Sequence, residues 1–233
     1  MISLSLLKKY QNYSDKGVGL IKAVIFDMDG VLIDSEPYYL QRRLDFFASV
    51  KITVAKSQLQ QVVGGNMKVV LPLLLPGKSS AEYAQLLQAY RAYKASHPLN
   101  FAAALQPGAA DALESLKNEG YQLALASSSD RQFIQEMLMK TELTGVFSVV
   151  LSGQDFAKSK PDPSIYLTAL QQLQVAATEA LAIEDSQMGI ASAKAAGIYT
   201  LAFAVTNPLV ATDQSAADAH IAKFDQLFSY LKR

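Results

Sequence analysis

Apolar and polar positions alternate in two rhythms along this chain. Lys22–Phe26 is a short, β-branched apolar run, the pattern of a strand buried on both faces of a parallel sheet. From Glu36 to about Lys94 the spacing turns helical. Leu40, Leu44 and Phe47 share one helix face, Leu59, Val62 and Val63 a second, and Tyr83, Leu86, Leu87 and Tyr90 a third. Gly64-Gly65 and Pro76-Gly77 break these helices, and Pro98 and Pro107-Gly108 mark the exit from the block. The tyrosines of Tyr83–Tyr93 keep helix spacing, which predicts packing rather than ligand stacking.

After Pro107 the chain alternates helix and strand. Helices are predicted over Ala109–Glu119, Asp130–Lys140, Pro163–Leu173 and Met188–Ala196. Strands are predicted over Tyr121–Ala126, Val146–Leu151, Ala180–Ile183 and Ile198–Phe203. Strands separated by helices of this length imply a parallel sheet with right-handed crossovers. The predicted class is α/β: a Rossmann-like parallel sheet core with an inserted all-helical cap domain. Residues 1–19 read as an N-terminal extension, 20–35 and 99–233 as the core, and 36–98 as the cap.

The chain's 233 residues are half hydrophobic, enough for a substantial core. Twenty-one basic residues balance twenty-one acidic ones. No basic excess points to nucleic acid and no polybasic run to an anionic membrane. Cysteine is absent, which removes disulfides and thiolate metal sites and fits a reducing cytosol. No apolar run reaches transmembrane length, and the opening residues place apolar before basic, the wrong order for a signal peptide. A cytoplasmic monomer is expected.

In an open parallel sheet, ligands bind outside the carboxyl ends of the strands. Polar clusters fall there: Asp27-Met28-Asp29-Gly30, Ser127-Ser128-Ser129, Lys158-Ser159-Lys160-Pro161-Asp162-Pro163 and Glu184-Asp185-Ser186. Together they supply carboxylates, hydroxyls and an ammonium, an inventory suited to a divalent cation and a phosphate. Each cluster has a plainer use. Asp27 and Asp29 could open a calcium loop, but Val31 offers no side-chain oxygen and no helix precedes them. The three serines suit an N-cap of the next helix. Lys160 alone is an ordinary solvated lysine, and Glu184-Asp185 suits a helix N-terminus. Order and location together carry the argument.

In that order the four clusters resemble the haloacid dehalogenase superfamily, in the branch with a small helical cap after the first strand. That branch includes β-phosphoglucomutase and sugar-phosphate phosphatases. The matching segments are Asp27–Glu36, Leu125–Ser129, Ser159–Pro163 and Ile183–Ile190, and the likeness spans about residues 21–205. The resemblance implies a Mg2+-dependent phosphatase acting on a small phosphorylated metabolite. Asp27 would be the nucleophile and Asp29 the proton carrier. Mg2+ would be held by Asp27, the Asp29 carbonyl and Asp185, with Glu184 beside it. Ser127, Ser128 and Lys160 would hold the phosphoryl oxygens. The cap would close over the site, its loop Gly64–Lys68 bringing Gly65, Asn66 and Lys68 to the substrate. β-Phosphoglucomutases tend to carry a His in the hinge and an Arg in the cap. This chain has Tyr39 and Met67 there, with Lys68 adjacent. Hydrolysis is therefore expected over a mutase reaction, and a silent metabolite-binding module is the rival from another class. His97 and His220 are isolated and have no assigned role.

Overall fold

A computed structural model describes residues 20–60, 62, 67–205 and 212–231. The N-terminal extension and Val63, Gly64, Gly65 and Asn66 lie outside the described residues. In chain order the elements are β1 (Ala23–Phe26), α1 (Glu36–Ser49), α2 (Lys56–Gln60), α3 (Met67–Leu74), α4 (Ser80–Ser96), α5 (Phe101–Ala104), α6 (Ala109–Asn118), β2 (Gln122–Ser127), α7 (Arg131–Lys140), β3 (Val149–Ser152), α8 (Ser164–Leu173), β4 (Ala180–Glu184), α9 (Gln187–Ala195), β5 (Tyr199–Phe203) and β6 (Ala219–Ile221).

The six strands form one sheet in the order β3-β2-β1-β4-β5-β6, and every pairing is parallel. β1 lies inside it with all four residues buried, as its unbroken apolar run requires. Alternate strand positions feed one core. Ala23, Ile25, Ala124, Ala126, Ala180 and Ala182 share a face with Ile165, Tyr166 and Ala169 of α8 and Ala193 of α9. The alanines keep that face shallow, so bulky residues of α8 fill the layer.

Two compact units divide the described chain. One holds residues 20–33, 105–205 and 212–231, and the other holds residues 34–104. The chain leaves the sheet unit at Ile33 and re-enters at Leu105, and these two residues pair in an isolated antiparallel bridge. The helical unit has its own core of Leu40, Phe46, Phe47, Leu59, Met67, Val70, Leu71 and Tyr90. Phe46 is its hub, with ring centroids 5.4 Å from Phe47, 5.1 Å from Tyr90 and 5.7 Å from Tyr93. The tyrosines of α4 therefore pack, as their spacing predicts.

Several local expectations change. β3 begins at Val149 rather than Val146, because Gly145–Ser148 is spent on the approach to the sheet. Helix α2 stops at Gln60, so Val62 lies in a turn. β6, three residues long, is too short to announce itself by periodicity. Met67 and Lys68 were expected in a loop, but they form the first turn of α3. Met67 points into the helical core and Lys68 is exposed.

Helix α4 begins with a complete capping box. Ser79 Oγ accepts from Glu82 N at 3.3 Å, and the Glu82 carboxylate accepts from Ser79 N at 2.8 Å. Ser79→Ala should therefore lower the unfolding free energy of the helical unit by about 1 kcal/mol, read from urea denaturation followed by far-UV circular dichroism. An unchanged midpoint would contradict the cap assignment.

Candidate active site

The register of the sheet brings the clusters together. Phe26 is opposite Leu125 on β2 and Ile183 on β4. One residue further along, Asp27 leaves β1 with its N–H donated to Ile183 O at 3.0 Å. On either side, β2 ends at Ser127 and β4 at Glu184. These side chains share the carboxyl rim of three adjacent strands because parallel strands in register end together.

Lys160 arrives from the loop before α8 and joins them. Its Nζ donates to Asp27 Oδ1 at 2.5 Å, Glu184 Oε1 at 2.6 Å and Ala126 O at 2.9 Å. That commits all three ammonium protons. The Lys160 side chain is only 5% exposed and that of Glu184 is fully buried. Glu184 is held from three sides, since Tyr166 Oη donates to Oε1 at 2.8 Å and Ser186 Oγ to Oε2 at 3.2 Å. The Tyr166 ring also lies beneath the ammonium, 5.2 Å from centroid to Nζ.

Carboxylates outnumber the cation. One oxygen each from Asp27, Glu184 and Asp185 lies within 4.8 Å of the others. Burial, reinforced by Glu184 and Asp185, lifts Asp27 well above the usual carboxylate range despite Lys160. Burial and then Glu184 push Asp185 up to about 7. Burial works against the charged form of Lys160, but Asp27 and Glu184 together outweigh it and hold the ammonium protonated. Burial, Glu184 and Asp27 keep Tyr166 neutral. One ammonium among three carboxylates, two of them buried and that of Asp185 half-buried, leaves a deficit of positive charge. An all-oxygen donor set of this kind fits a hard divalent cation. Both oxygens of Glu184 already accept protein hydrogen bonds, so Asp27 and Asp185 are the more available ligands.

The backbone leaves room for this crowding. Gly30 has φ +83°, and a Cβ there would lie 2.0 Å from Asp185 Oδ2. A Cβ on Gly189 would lie 1.9 Å from Glu184 Oε1. Gln214 fastens the other side of the rim, its Nε2 donating to Asp185 O at 2.6 Å and Phe203 O at 2.8 Å.

Asp29 is half-buried, and its Oδ2 accepts from Ser129 Oγ at 2.7 Å. Ser127 is buried at the β2 terminus with its Oγ accepting from Ser129 N at 3.0 Å. Ser128 is exposed beside it. Asp27, Asp29, Ser127, Lys160, Glu184 and Asp185 thus belong to one unit and one rim. Of the expected cap contacts, Gly65 and Asn66 lie outside the described residues, and Lys68 sits on α3 of the helical unit. Three residues escaped sequence reasoning. Ser129 reads as part of a helix cap, the sequence reading does not single out Tyr166, and Gln214 carries no local signal. For Tyr166 the available hint was a hydroxyl-bearing residue on the buried face of the helix that follows Lys160.

The profile of the family described as haloacid dehalogenase-like hydrolase matches residues 24–203. A phosphorylated carbohydrates phosphatase of Thermotoga maritima is 33% identical over 183 residues, covering 76% of this chain and 82% of that protein. A β-phosphoglucomutase of Bacillus subtilis is 28% identical over 200 residues, covering 83% of this chain and 88% of the relative. The crystal structure of a subfamily IA hydrolase of the superfamily from Geobacter sulfurreducens aligns with a TM-score of 0.75 at 22% identity. It covers 91% of this chain and 97% of the other, a likeness of fold.

Two predictions follow from the crowding at Asp185. If the cluster takes a divalent cation, Gly30→Ala should weaken that binding roughly 10- to 100-fold by displacing the Asp185 carboxylate, measured by calorimetric titration with Mg2+. Wild-type affinity after the substitution would contradict the packing argument. Protons should also compete with the cation. Burial and Glu184 push Asp185 up to about 7, so its carboxylate gains a proton as the pH falls below neutrality. Affinity for a divalent cation such as Mg2+ should therefore fall by at least about tenfold per pH unit below neutrality. A flat affinity from pH 5.5 to 8 would contradict this.

Proposed function

The chain belongs to the haloacid dehalogenase-like hydrolase family, and we propose that it is a Mg2+-dependent phosphatase of small phosphorylated metabolites, with a sugar phosphate as substrate. The observation that carries this reading is the Lys160 ammonium between Asp27 and Glu184 on the rim where Asp29 and Ser127 also converge. In this reading residues 36–98 form the cap, and the sheet unit carries the chemistry.

Asp27 is the nucleophile. Its carboxylate attacks phosphorus, the bond to the ester oxygen breaks, and the phosphoryl group rests on Asp27 as an aspartyl phosphate. Asp29 gives the departing alkoxide its proton. Water then attacks phosphorus, Asp29 takes that water's proton, and the Asp27 carboxylate leaves with inorganic phosphate as product. Asp27 must be ionised to attack, yet burial favours its neutral form. Lys160 opposes that effect and offsets repulsion between Asp27 and an anionic substrate. Ser127 and Ser128 present hydroxyl and backbone donors to the phosphoryl oxygens, and Lys160 adds its positive charge. Asp27, Asp185 and the Asp29 carbonyl would hold Mg2+, with Glu184 beside it. When bound, the cation supplies the missing positive charge and screens phosphoryl oxygens in the transition state.

The Bacillus subtilis relative frames the alternative, a phosphosugar mutase. Tyr39 and Met67 occupy the positions where the mutase resemblance expects a His and an Arg, and a lysine at position 68 cannot grip phosphate bidentately as an arginine does. Hydrolysis therefore remains the preferred reading.

The test is a panel of hexose 6-phosphates, pentose 5-phosphates, glycerol phosphate and β-glucose 1-phosphate with Mg2+, assayed for both free phosphate and glucose 6-phosphate. The expected result is phosphate release, lost on adding EDTA, restored by Mg2+, and reduced at least about 10³-fold in Asp27→Asn. Glucose 6-phosphate formed without free phosphate would establish the mutase. Binding without turnover in the wild type would establish the silent module.

A further inference from the structure

We propose that Ser129 is the positioning residue for the proton carrier Asp29, and that the Ser127–Ser129 turn holds the phosphoryl-contacting and proton-transferring groups as one piece. This rests on the phosphatase reading above.

The plainer use of the serine cluster is helix capping, and the structure gives that task to another residue. Asp130 caps α7, its Oδ1 accepting from Phe133 N at 2.9 Å. Ser129 is left with three polar groups, each engaged elsewhere. Its N–H donates to Ser127 Oγ at 3.0 Å, and its carbonyl accepts from Ser152 Oγ at 2.8 Å. Its hydroxyl donates to Asp29 Oδ2 at 2.7 Å across a hundred residues of sequence. Two of these bonds fix the backbone and the third aims the side chain.

The support beneath the turn is hydrogen-bonded and closely packed. Ser152 is 1% exposed and closes the end of β3, where its Oγ also accepts from Gln154 N at 3.3 Å and its N–H donates to Asp155 Oδ2 at 3.1 Å. Gly153 presses so closely that a Cβ there would lie 2.9 Å from Ser128 O. The turn is thus clamped between the ends of β2 and β3. A carboxyl that passes a proton to one oxygen and later takes one from water needs a single orientation in both steps. A fixed donor on Oδ2 provides it. Through Ser129 N the same turn also orients Ser127.

Leaving-group dependence isolates this role. An alkyl phosphate expels an alkoxide that must be protonated as it leaves, whereas p-nitrophenolate departs without help. Misplacing Asp29 should therefore slow aspartyl-phosphate formation from an alkyl ester, and spare it with p-nitrophenyl phosphate.

The experiment compares wild type, Ser129→Ala, Ser129→Thr and Asp29→Ala with Mg2+. The substrates are the fastest alkyl ester of the panel and p-nitrophenyl phosphate, the latter followed by rapid mixing. Ser129→Ala should lose roughly 10- to 100-fold in kcat on the alkyl ester, with KM and the Mg2+ requirement within about twofold of wild type. Its pre-steady-state burst of p-nitrophenolate should stay within about threefold, with slower turnover after it. Ser129→Thr, which keeps the hydroxyl, should restore most of the alkyl rate, and thermal melting should show every variant folded. An active wild type with unchanged Ser129→Ala overturns the positioning role alone. Equal losses in the burst and on the alkyl ester overturn it too, placing Ser129 at the phosphoryl group. A wild type that releases phosphate from no ester overturns the phosphatase reading, and the positioning role falls with it. An Asp29→Ala variant as fast as wild type on the alkyl ester removes the proton carrier itself, and the positioning role with it.

Discussion

The Lys160 ammonium, set between the carboxylates of Asp27 and Glu184 at hydrogen-bond distance, is the constraint around which the rest of the site is arranged. A buried charge is tolerated only when it is paired and hydrogen-bonded. Here the pairing is lopsided, because Asp185 adds a third carboxylate to the cluster. The surroundings answer to that imbalance. Tyr166 and Ser186 donate to Glu184, Gly30 and Gly189 leave out the side chains that would collide with Asp185 and Glu184, and Gln214 ties the Asp185 backbone to β5. Each lowers the cost of concentrating negative charge at a largely buried rim. The negative charge that remains uncompensated suits a divalent cation.

The sheet explains why such a cluster can be built from distant segments. Adjacent parallel strands end at one rim, so residues far apart in sequence become neighbours once β1, β2 and β4 pair in register. The fold is therefore part of the chemistry: slipping β1 by one residue would turn Asp27 to the opposite face of the sheet.

This also explains what could be read in advance. Apolar runs ending in Asp27, Ser127 and Glu184 mark strands and their carboxyl ends together, so the α/β class and the main site residues are legible in the chain. Lys160 was legible only by its place in the order of clusters, since lysine before proline is unremarkable alone. Ser129, Tyr166 and Gln214 act through contacts that span 100, 18 and 29 residues, and no local pattern encodes such distances. Met67 misled because an apolar residue after a glycine pair reads equally as loop or helix start. Its burial against Val70 and Leu71 in the helical core decided the matter.

The central claim is that Asp27 carries the phosphoryl group, and acid quenching during turnover tests it most directly. With Mg2+ and an active ester, protein stopped in acid within milliseconds and digested should bear a phosphoryl group on the peptide containing Asp27. The same peptide from Asp27→Asn should bear none. Steady phosphate release by the wild type with no protein-bound phosphoryl group at any quench time, or with the label on another residue, would contradict the account.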